Sequence, residues 1–363
     1  MLLGLTAIAA LCMATPVHAG TSNPSHRGGS GGGLSFYATV STVSQLIADI
    51  NYANSVGGAI TINLAPGATF DLTSADNTTD GGNGLPVIGG TKAVALTIIG
   101  NGDTIERIAV ISRRYYTIQN PFRLFEVASG ASLTLDHVTL QGDWGGGGIF
   151  NQGTLNVING STLFGNNAGG IYNVGGTVAV SSSTLYGHRG GGIYNVGGTV
   201  TVSNSTLSDN LAGNGGAIRN SGGTLTVSHS ILSGNGSAFG GGIYNDSSGT
   251  VTVDNSTLIN NSAEISHYDG TLGDGDGGAI YNSAGTVTIS NSILSGNVAD
   301  LSGGGIFNDS QGTVTVENSS SIIGNLGADG ASLGADVYNL GLFYLDSTST
   351  ILGGVGPTSA ISF

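Results

Sequence analysis

Short segments in which apolar and polar residues alternate, separated by glycines, recur along most of this chain. In Thr199-Val200-Thr201-Val202 every second residue is apolar, which is the pattern of a β-strand with one buried face. Alternation predicts that the valines point inward and the threonines outward. The segments GGIYN, TVTVSNS and TLSGN follow one another within units of 22–25 residues. Each is too short and too closely bounded by glycine for a helix, so we predict three short strands per unit.

These units are repeated with little change, and the ten residues GGIYNVGGTV occur both at 169–178 and at 191–200. A single unit cannot bury its own apolar face. Neighbouring units must therefore stack, about 4.8 Å apart, as coils of a parallel β-helix. Regular repeats cover about residues 124–340, and both Ile193 and Leu207 are expected to point into the interior.

The residues before the repeats divide into three parts. Residues 1–19 have an apolar core followed by a small-x-small cleavage pattern, which predicts a secretory signal peptide. Residues 20–37 are a flexible Gly/Ser-rich linker. Residues 38–64 form a cap in which an amphipathic helix, with Val43, Leu46, Ile47 and Ile50 on one stripe, leads into a strand at 59–64. The β-helix domain then spans residues 38–363.

Asparagine recurs at three positions of the unit. Because Asn tolerates left-handed backbone and its amide can bond to neighbouring groups, we expect these columns at turns and in ladders along the axis. Histidines at 137, 188 and 229 fall in two of the columns and are interpreted as turn substitutions. The columns are Asn151, Asn173, Asn195, Asn220, Asn245, Asn282, Asn308 and Asn339; Asn159, Ser182, Asn204, His229, Asn255, Asn291 and Asn318; and Asn166, His188, Asn210, Asn235, Asn261, Asn297 and Asn325.

Two paired motifs give the chain a family resemblance. They are FxxN, at Phe164-Gly165-Asn166-Asn167, and GGAI, at 215–218 and 277–280. With these motifs the sequence resembles right-handed parallel β-helix proteins of the pectin-lyase-like class. In particular it resembles secreted or surface bacterial proteins with chlamydial polymorphic-outer-membrane-type repeats. The resemblance implies a single-domain, all-β, right-handed parallel β-helix, of about ten coils with an N-terminal amphipathic cap helix. It also implies export and adhesion.

Composition narrows the set of partners. The 22 acidic residues outnumber the 8 basic ones, and the net charge of −14 disfavours nucleic acid and anionic membranes, which require a basic face. After the signal segment no apolar run approaches the ~18 residues of a membrane span. We therefore expect a secreted, extracellular or cell-surface monomer whose partners are polysaccharides or the surface molecules of host or neighbouring cells.

The first candidate site is a column of aromatic residues. If Ile193 points inward, Tyr194 points outward, and the equivalent positions of other units carry Tyr172, Arg219, Tyr244 and Tyr281. Such a stripe could stack against sugar rings, with the arginine as a polar contact. The alternative is that the rings only cover and stabilise the sheet.

The second candidate site is the acidic insertion at 262–276. Asp269, Asp274 and Asp276 lie among glycines there and could bind Ca²⁺ through carboxylate oxygens, although a solvated acidic loop has the same composition. A polysaccharide lyase or glycoside hydrolase with a site near this insertion is the alternative function. We found no paired catalytic carboxylates, and beyond Asn151 only two arginines, Arg189 and Arg219, in different columns. The lack of a recognisable catalytic group of residues therefore favours a non-enzymatic, adhesin-like interaction protein.

Paired outward threonines on successive units suggest a further alternative. A flat, regular threonine array is the type of surface that ice-binding β-helices present, but threonine is also a preferred residue on any exposed β-face. Ice binding is therefore kept as a minor alternative. The pairs are Thr199/Thr201, Thr224/Thr226, Thr250/Thr252, Thr286/Thr288 and Thr313/Thr315.

Overall fold

The computed structural model describes residues 39–108, 111–112, 117–118, 121–143, 145–264, 275–328, 336–358 and 360–363. All of them belong to one compact unit. The proposed signal peptide and the whole of the linker before the cap lie outside the described residues.

Three long parallel sheets run side by side, and each regular coil contributes one strand to each sheet. We name each sheet after the residue type that recurs on one of its faces. The threonine sheet has 12 strands: Gly58–Asn63, Val94–Ile99, Ser132–Asp136, Thr154–Ile158, Thr177–Ser181, Thr199–Ser203, Thr224–Ser228, Thr250–Asp254, Thr286–Ser290, Thr313–Glu317, Leu342–Leu345 and Ile361–Ser362. The leucine sheet has 11 strands: Thr69–Leu72, Thr104–Arg107, Thr139–Gln141, Thr162–Phe164, Thr184–Tyr186, Thr206–Ser208, Ile231–Ser233, Thr257–Ile259, Ile293–Ser295, Ser321–Ile323 and Thr350–Ile351.

The aromatic sheet completes each coil. It has 10 strands: Phe125–Val127, Ile149–Asn151, Ile171–Val174, Ile193–Val196, Ile218–Ser221, Ile243–Asp246, Ile280–Asn282, Ile306–Asn308, Val337–Asn339 and Val355–Pro357. A short sheet of 4 strands follows the leucine sheet in the later coils: Gly236–Ser237, Ser262–Ala263, Val298–Ala299 and Leu326–Gly327. Ile111–Ser112 and Thr117–Ile118 form an antiparallel pair. This is the predicted all-β parallel β-helix, and its coils begin at Gly58, before the regular repeats.

The interior is filled as the alternation predicts. Val200, Val202 and Leu207 are fully buried and Ile193 is almost so, whereas Thr199 is exposed. Neighbouring strands pair in register, so each inward residue lies above the equivalent residue of the next coil. Complete burial of one such side chain stabilises the fold by ~1.5–3 kcal/mol.

Two of the three asparagine columns lie in the interior as hydrogen-bonded ladders. In the column of Asn195 each side-chain amide donates to the side-chain oxygen of the next coil, at 2.7–2.9 Å. In the column of Asn235 the backbone N–H and the side-chain amide both donate to the next side-chain oxygen, for example at 3.1 and 2.9 Å to Asn261. A buried serine ladder, typified by Ser205 N–H donating to Ser230 Oγ at 3.1 Å, was not predicted.

The remaining column forms the turns between the threonine and leucine sheets. All its residues have positive φ, including His137 at 56° and His229 at 50°, so their interpretation as turn substitutions is confirmed. His188 is different. It is fully buried in the ladder column, and its backbone is not left-handed.

The N-terminal end of the β-helix is covered by the predicted amphipathic helix, α1, at Val43–Val56. Thr42 caps it, since its Oγ1 accepts a hydrogen bond from the Gln45 backbone N–H at 3.3 Å. Leu46 and Ile50 are fully buried against the first coils.

Candidate functional site

The aromatic column exists as a continuous row on the outward face of the aromatic sheet. Strand register places the five candidate binding residues in successive coils, and the equivalent residues Phe150, Phe307 and Tyr338, which the repeat alignment also predicts, continue the row in both directions. Its members in chain order are Phe150, Tyr172, Tyr194, Arg219, Tyr244, Tyr281, Phe307 and Tyr338. On the coil before Phe150 the same position holds Glu126.

Most rings of the column stack on their neighbours. Ring centroids are 5.1 Å apart for Tyr172 and Tyr194, and 4.8 Å apart for Tyr281 and Phe307, with interplanar angles of 16° and 9°. Each face is therefore largely covered by the next ring, and Phe307 is only 8% exposed. Along most of its length the column presents ring edges rather than ring faces.

Between Tyr194 and Tyr244 the row has one position without an aromatic ring, and Arg219 occupies it. Its guanidinium carbon lies 4.7 Å from the Tyr194 ring centroid and 5.6 Å from that of Tyr244. Its Nη2 is 3.1 Å from Asp246 Oδ2. Burial, together with the charge of Asp246, raises the pKa of the Tyr244 hydroxyl. The guanidinium thus continues the stack by cation–π contact.

A second arginine closes the N-terminal end of the row. The Arg123 guanidinium carbon lies 4.6 Å from the Phe150 ring centroid, and its Nη1 is 3.7 Å from Glu126 Oε2. Glu126 is almost completely buried and accepts a hydrogen bond of 2.8 Å from Asn83. Burial raises the pKa of this carboxyl, while the Asn83 hydrogen bond and the Arg123 charge oppose the shift. Arg123 also donates to the backbone carbonyl of Asp80.

The column opens at Tyr172. Here the regular stacking is broken, because the Phe150 and Tyr172 rings are tilted by 39° with their centroids 5.5 Å apart. Tyr172 is the most exposed ring of the row, at 43%. It borders a groove of about 310 Å³ that is also lined by Asp80, Arg123, Phe150 and Gly169. A partly exposed tyrosine ring, a guanidinium and a carboxylate therefore meet at one groove.

Behind the groove lies a further ion pair, between the buried Arg107 and Asp143. The Arg107 guanidinium carbon is 4.7 Å from the ring centroid of Phe122, which lines the groove. Sequence reasoning missed Arg107, Arg123 and Asp80 because it considered only the arginines beyond Asn151. The segment FRLFEV at 122–127 could have drawn attention to Arg123. It aligns with the next repeat unit if Val127 is placed at the position that Asn151 occupies there.

Sequence comparison identifies the architecture. The family described as a right-handed β-helix region matches residues 76–258 and 125–321, which together span more than half of the chain. The chain belongs to the right-handed β-helix family. Comparisons with curated proteins and with solved structures give no significant match. The narrower resemblance to chlamydial-type repeats stays a prediction for this right-handed β-helix.

The acidic insertion of this right-handed β-helix falls largely outside the described residues, including Asp269 and Asp274. Asp276 is described and buried, and its Oδ1 accepts a hydrogen bond of 2.9 Å from the Ser302 backbone N–H. Calcium binding stays a prediction. Among the residues that the structure describes, no three His, Cys, Asp or Glu side chains come together in a way that could hold a metal ion. No helix within the described ranges is long and apolar enough to cross a bilayer.

The threonine pairs of the right-handed β-helix are in register across five neighbouring coils. Thr199 pairs with Thr224, Thr201 pairs with Thr226, and the same alignment continues through the later coils. They form two straight columns on the outward face of the threonine sheet, as the alternation predicts.

Proposed function

We propose that this right-handed β-helix is an exported, extracellular or cell-surface interaction protein. It is adhesin-like and non-enzymatic, and it binds a carbohydrate chain at the groove beside Tyr172. The observation that supports this proposal is the break in the regular ring stacking between Phe150 and Tyr172. From Tyr194 to Phe307 each ring stacks on neighbouring rings or on the Arg219 guanidinium, whereas Tyr172 is tilted 39° from Phe150 and borders the groove.

The chemistry of the groove favours a neutral sugar. A pyranose ring can lie against the apolar face of Tyr172, and its hydroxyls can donate to Asp80 or accept from Arg123. The charge of Arg123 is opposed by Glu126, whose Oε2 is 3.7 Å away, and by Asp80. An anionic sugar would therefore find little uncompensated positive charge. A few convergent polar groups around an apolar surface are typical of small-ligand sites.

A glycan array followed by titration tests the proposal, with Tyr172→Ala as the diagnostic variant. Loss of the stacked ring should weaken binding by about tenfold, corresponding to ~1.4 kcal/mol. Tyr338→Ala is the matched control, because Tyr338 belongs to the same column but stacks on Phe307 far from the groove. Its affinity should stay within about twofold of the wild type. Failure of the wild type to bind any glycan, or equal losses in both variants, would exclude the groove as the binding site.

Export is tested separately by expressing the full chain and sequencing the N-terminus of the mature protein. Cleavage after Ala19 supports the proposal, and a retained Met1 in the cell interior contradicts it.

The enzymatic alternative is examined with the same glycans. Incubation of the protein with each bound polysaccharide should release neither new reducing ends nor unsaturated products. Turnover that disappears in Asp276→Asn would instead favour a lyase or hydrolase at the insertion.

Ice binding is supported by the two straight threonine columns, and it predicts thermal hysteresis in the purified protein. Loss of that hysteresis in Thr226→Tyr would assign it to the threonine sheet. Absence of hysteresis in the wild type would exclude this alternative.

A further inference from the structure

The outward face of the leucine sheet changes character along the β-helix. In the earlier coils one outward column carries Thr162, Thr184 and Thr206. In register with these, the later coils carry Ile231 and, two coils further on, Ile293. Both isoleucines are 46% exposed. These two isoleucines replace threonine at outward positions, so packing of the interior does not explain them.

The aliphatic surface continues around the corner onto the short sheet. Val298 and Leu326 are paired on adjacent coils and are 38% and 63% exposed. The equivalent positions on the preceding coils hold Gly236 and Ser262. We call Ile231, Ile293, Val298 and Leu326 the aliphatic face. A cluster of exposed aliphatic residues confined to one region of a soluble protein commonly marks an interaction surface.

Acidic residues border the aliphatic face. Glu264 and Asp300 are exposed and follow neighbouring strands of the short sheet, since their backbone N–H groups donate to Ser237 and Ala263 carbonyls at 2.9 Å. Asp300 lies two residues beyond Val298, so strand alternation directs both to the same side. All 8 lysines and arginines of the chain lie at or before Arg219, whereas more than half of its 22 acidic residues lie beyond it.

We propose that the aliphatic face docks a cationic amphipathic polypeptide segment, in which aliphatic residues cover the face and Lys or Arg side chains pair with Glu264 and Asp300. Charge complementarity selects this occupant. A second copy of the chain would bring the same acidic residues against each other. A purely basic polymer would leave the aliphatic side chains uncovered. This docking surface is separate from the groove beside Tyr172.

The test uses a synthetic amphipathic helix of Lys and Leu as the probe, with fluorescence anisotropy as the readout. The diagnostic variant is Val298→Thr/Leu326→Thr, because threonine occupies exposed strand positions elsewhere in the protein. The matched control is Leu342→Thr/Ile361→Thr, two residues of the threonine sheet that are 49% and 47% exposed. Circular dichroism checks that both variants keep the β-helix.

We expect the Lys/Leu peptide to bind the wild type, and the diagnostic variant to bind about tenfold more weakly. The control should stay within about twofold of the wild type. Added salt should weaken binding to the wild type, and Glu264→Gln/Asp300→Asn should reduce that salt dependence. Three outcomes would overturn the proposal: no binding, equal weakening in diagnostic and control variants, or equally tight binding of a Glu/Leu analogue. Tyr172→Ala should leave peptide binding unchanged, which separates this test from that of the glycan groove.

Discussion

Replacing His188 by Asn should make the protein more resistant to acid, because it restores the residue that neighbouring coils carry in the interior ladder. The imidazole is fully buried, and its Nδ1 accepts a hydrogen bond of 3.1 Å from the Asn166 backbone N–H. The neutral ring therefore carries its proton on Nε2. Burial lowers the pKa of His188 from 6.5 to about 4, and backbone hydrogen bonds only partly oppose this shift.

The size of the effect follows from the two pKa values. Because the folded-state pKa is depressed, folding favours the neutral imidazole. Stability from this group is complete above the unfolded-state pKa of 6.5, declines as the pH falls below it, and levels off below about 4. Between pH 7.5 and pH 4.5 the free energy of unfolding should fall by about 2–3 kcal/mol through His188 alone.

Urea unfolding followed by circular dichroism at both pH values measures this quantity. The stability difference between His188→Asn and the wild type should increase by about 2–3 kcal/mol in favour of the variant on going to pH 4.5. Carboxylates titrate in both proteins and cancel. His229→Asn is the matched control, since it makes the same substitution in an exposed turn at φ 50° rather than in the buried ladder. A constant difference between His188→Asn and the wild type at the two pH values would refute the buried neutral imidazole.

Three further substitutions test other parts of the fold by thermal or urea unfolding. Asn245→Leu removes a member of the asparagine ladder and leaves buried donors and acceptors unpaired, so it should lower the free energy of unfolding by about 2–4 kcal/mol. A decrease no larger than that of a surface substitution would contradict a stabilising role for the ladder. Asn204 has φ 49°, so Asn204→Ala should cost about 1 kcal/mol and Asn204→Gly clearly less; equal costs would argue against the left-handed turn. Arg219→Tyr continues the ring stack but leaves the carboxylate of Asp246 unpaired, so it should destabilise the protein by about 1–3 kcal/mol, whereas adding Asp246→Val should recover most of that loss.

Much of the fold follows from local periodicity. Alternation with a period of two assigned Val200 and Val202 to the interior and Tyr194 to the outside, because a strand's side chains alternate whatever it pairs with. The repeat length then specified which residues lie above one another. The aromatic column was predicted correctly as a row for the same reason.

The roles of the asparagine columns could not be separated from sequence. Asn204 and Asn210 both come shortly after a short strand, yet Asn204 adopts the left-handed turn whereas Asn210 lies inside the ladder. The difference depends on the direction in which the chain bends at each corner. His188 was expected at a turn, but it lies in the buried ladder, where burial lowers its pKa.

The candidate groove depended on residues that do not belong to the repeat. Arg123, Glu126 and Asp80 precede the first GGxI-aromatic-N unit, and their contacts join segments more than 40 residues apart, such as Arg123 with the Asp80 carbonyl. Repetition aligns Glu126 with Phe150, but it carries no information about the contacts that Asp80 and Arg123 make. The tilt between the Phe150 and Tyr172 rings occurs where Arg123, which lies outside the row, stacks on Phe150.

The architecture follows from the repeat alone, because a short repeated unit with alternating apolar residues can bury its interior only by stacking coil upon coil. Which surfaces are open depends instead on contacts between coils and between distant segments. Ring faces are covered or free according to the orientation of the next coil. Charges are paired or exposed according to which distant segments meet. The break at Tyr172 and the aliphatic face bordered by Glu264 and Asp300 are products of that stacking, and no single unit of the repeat contains either of them.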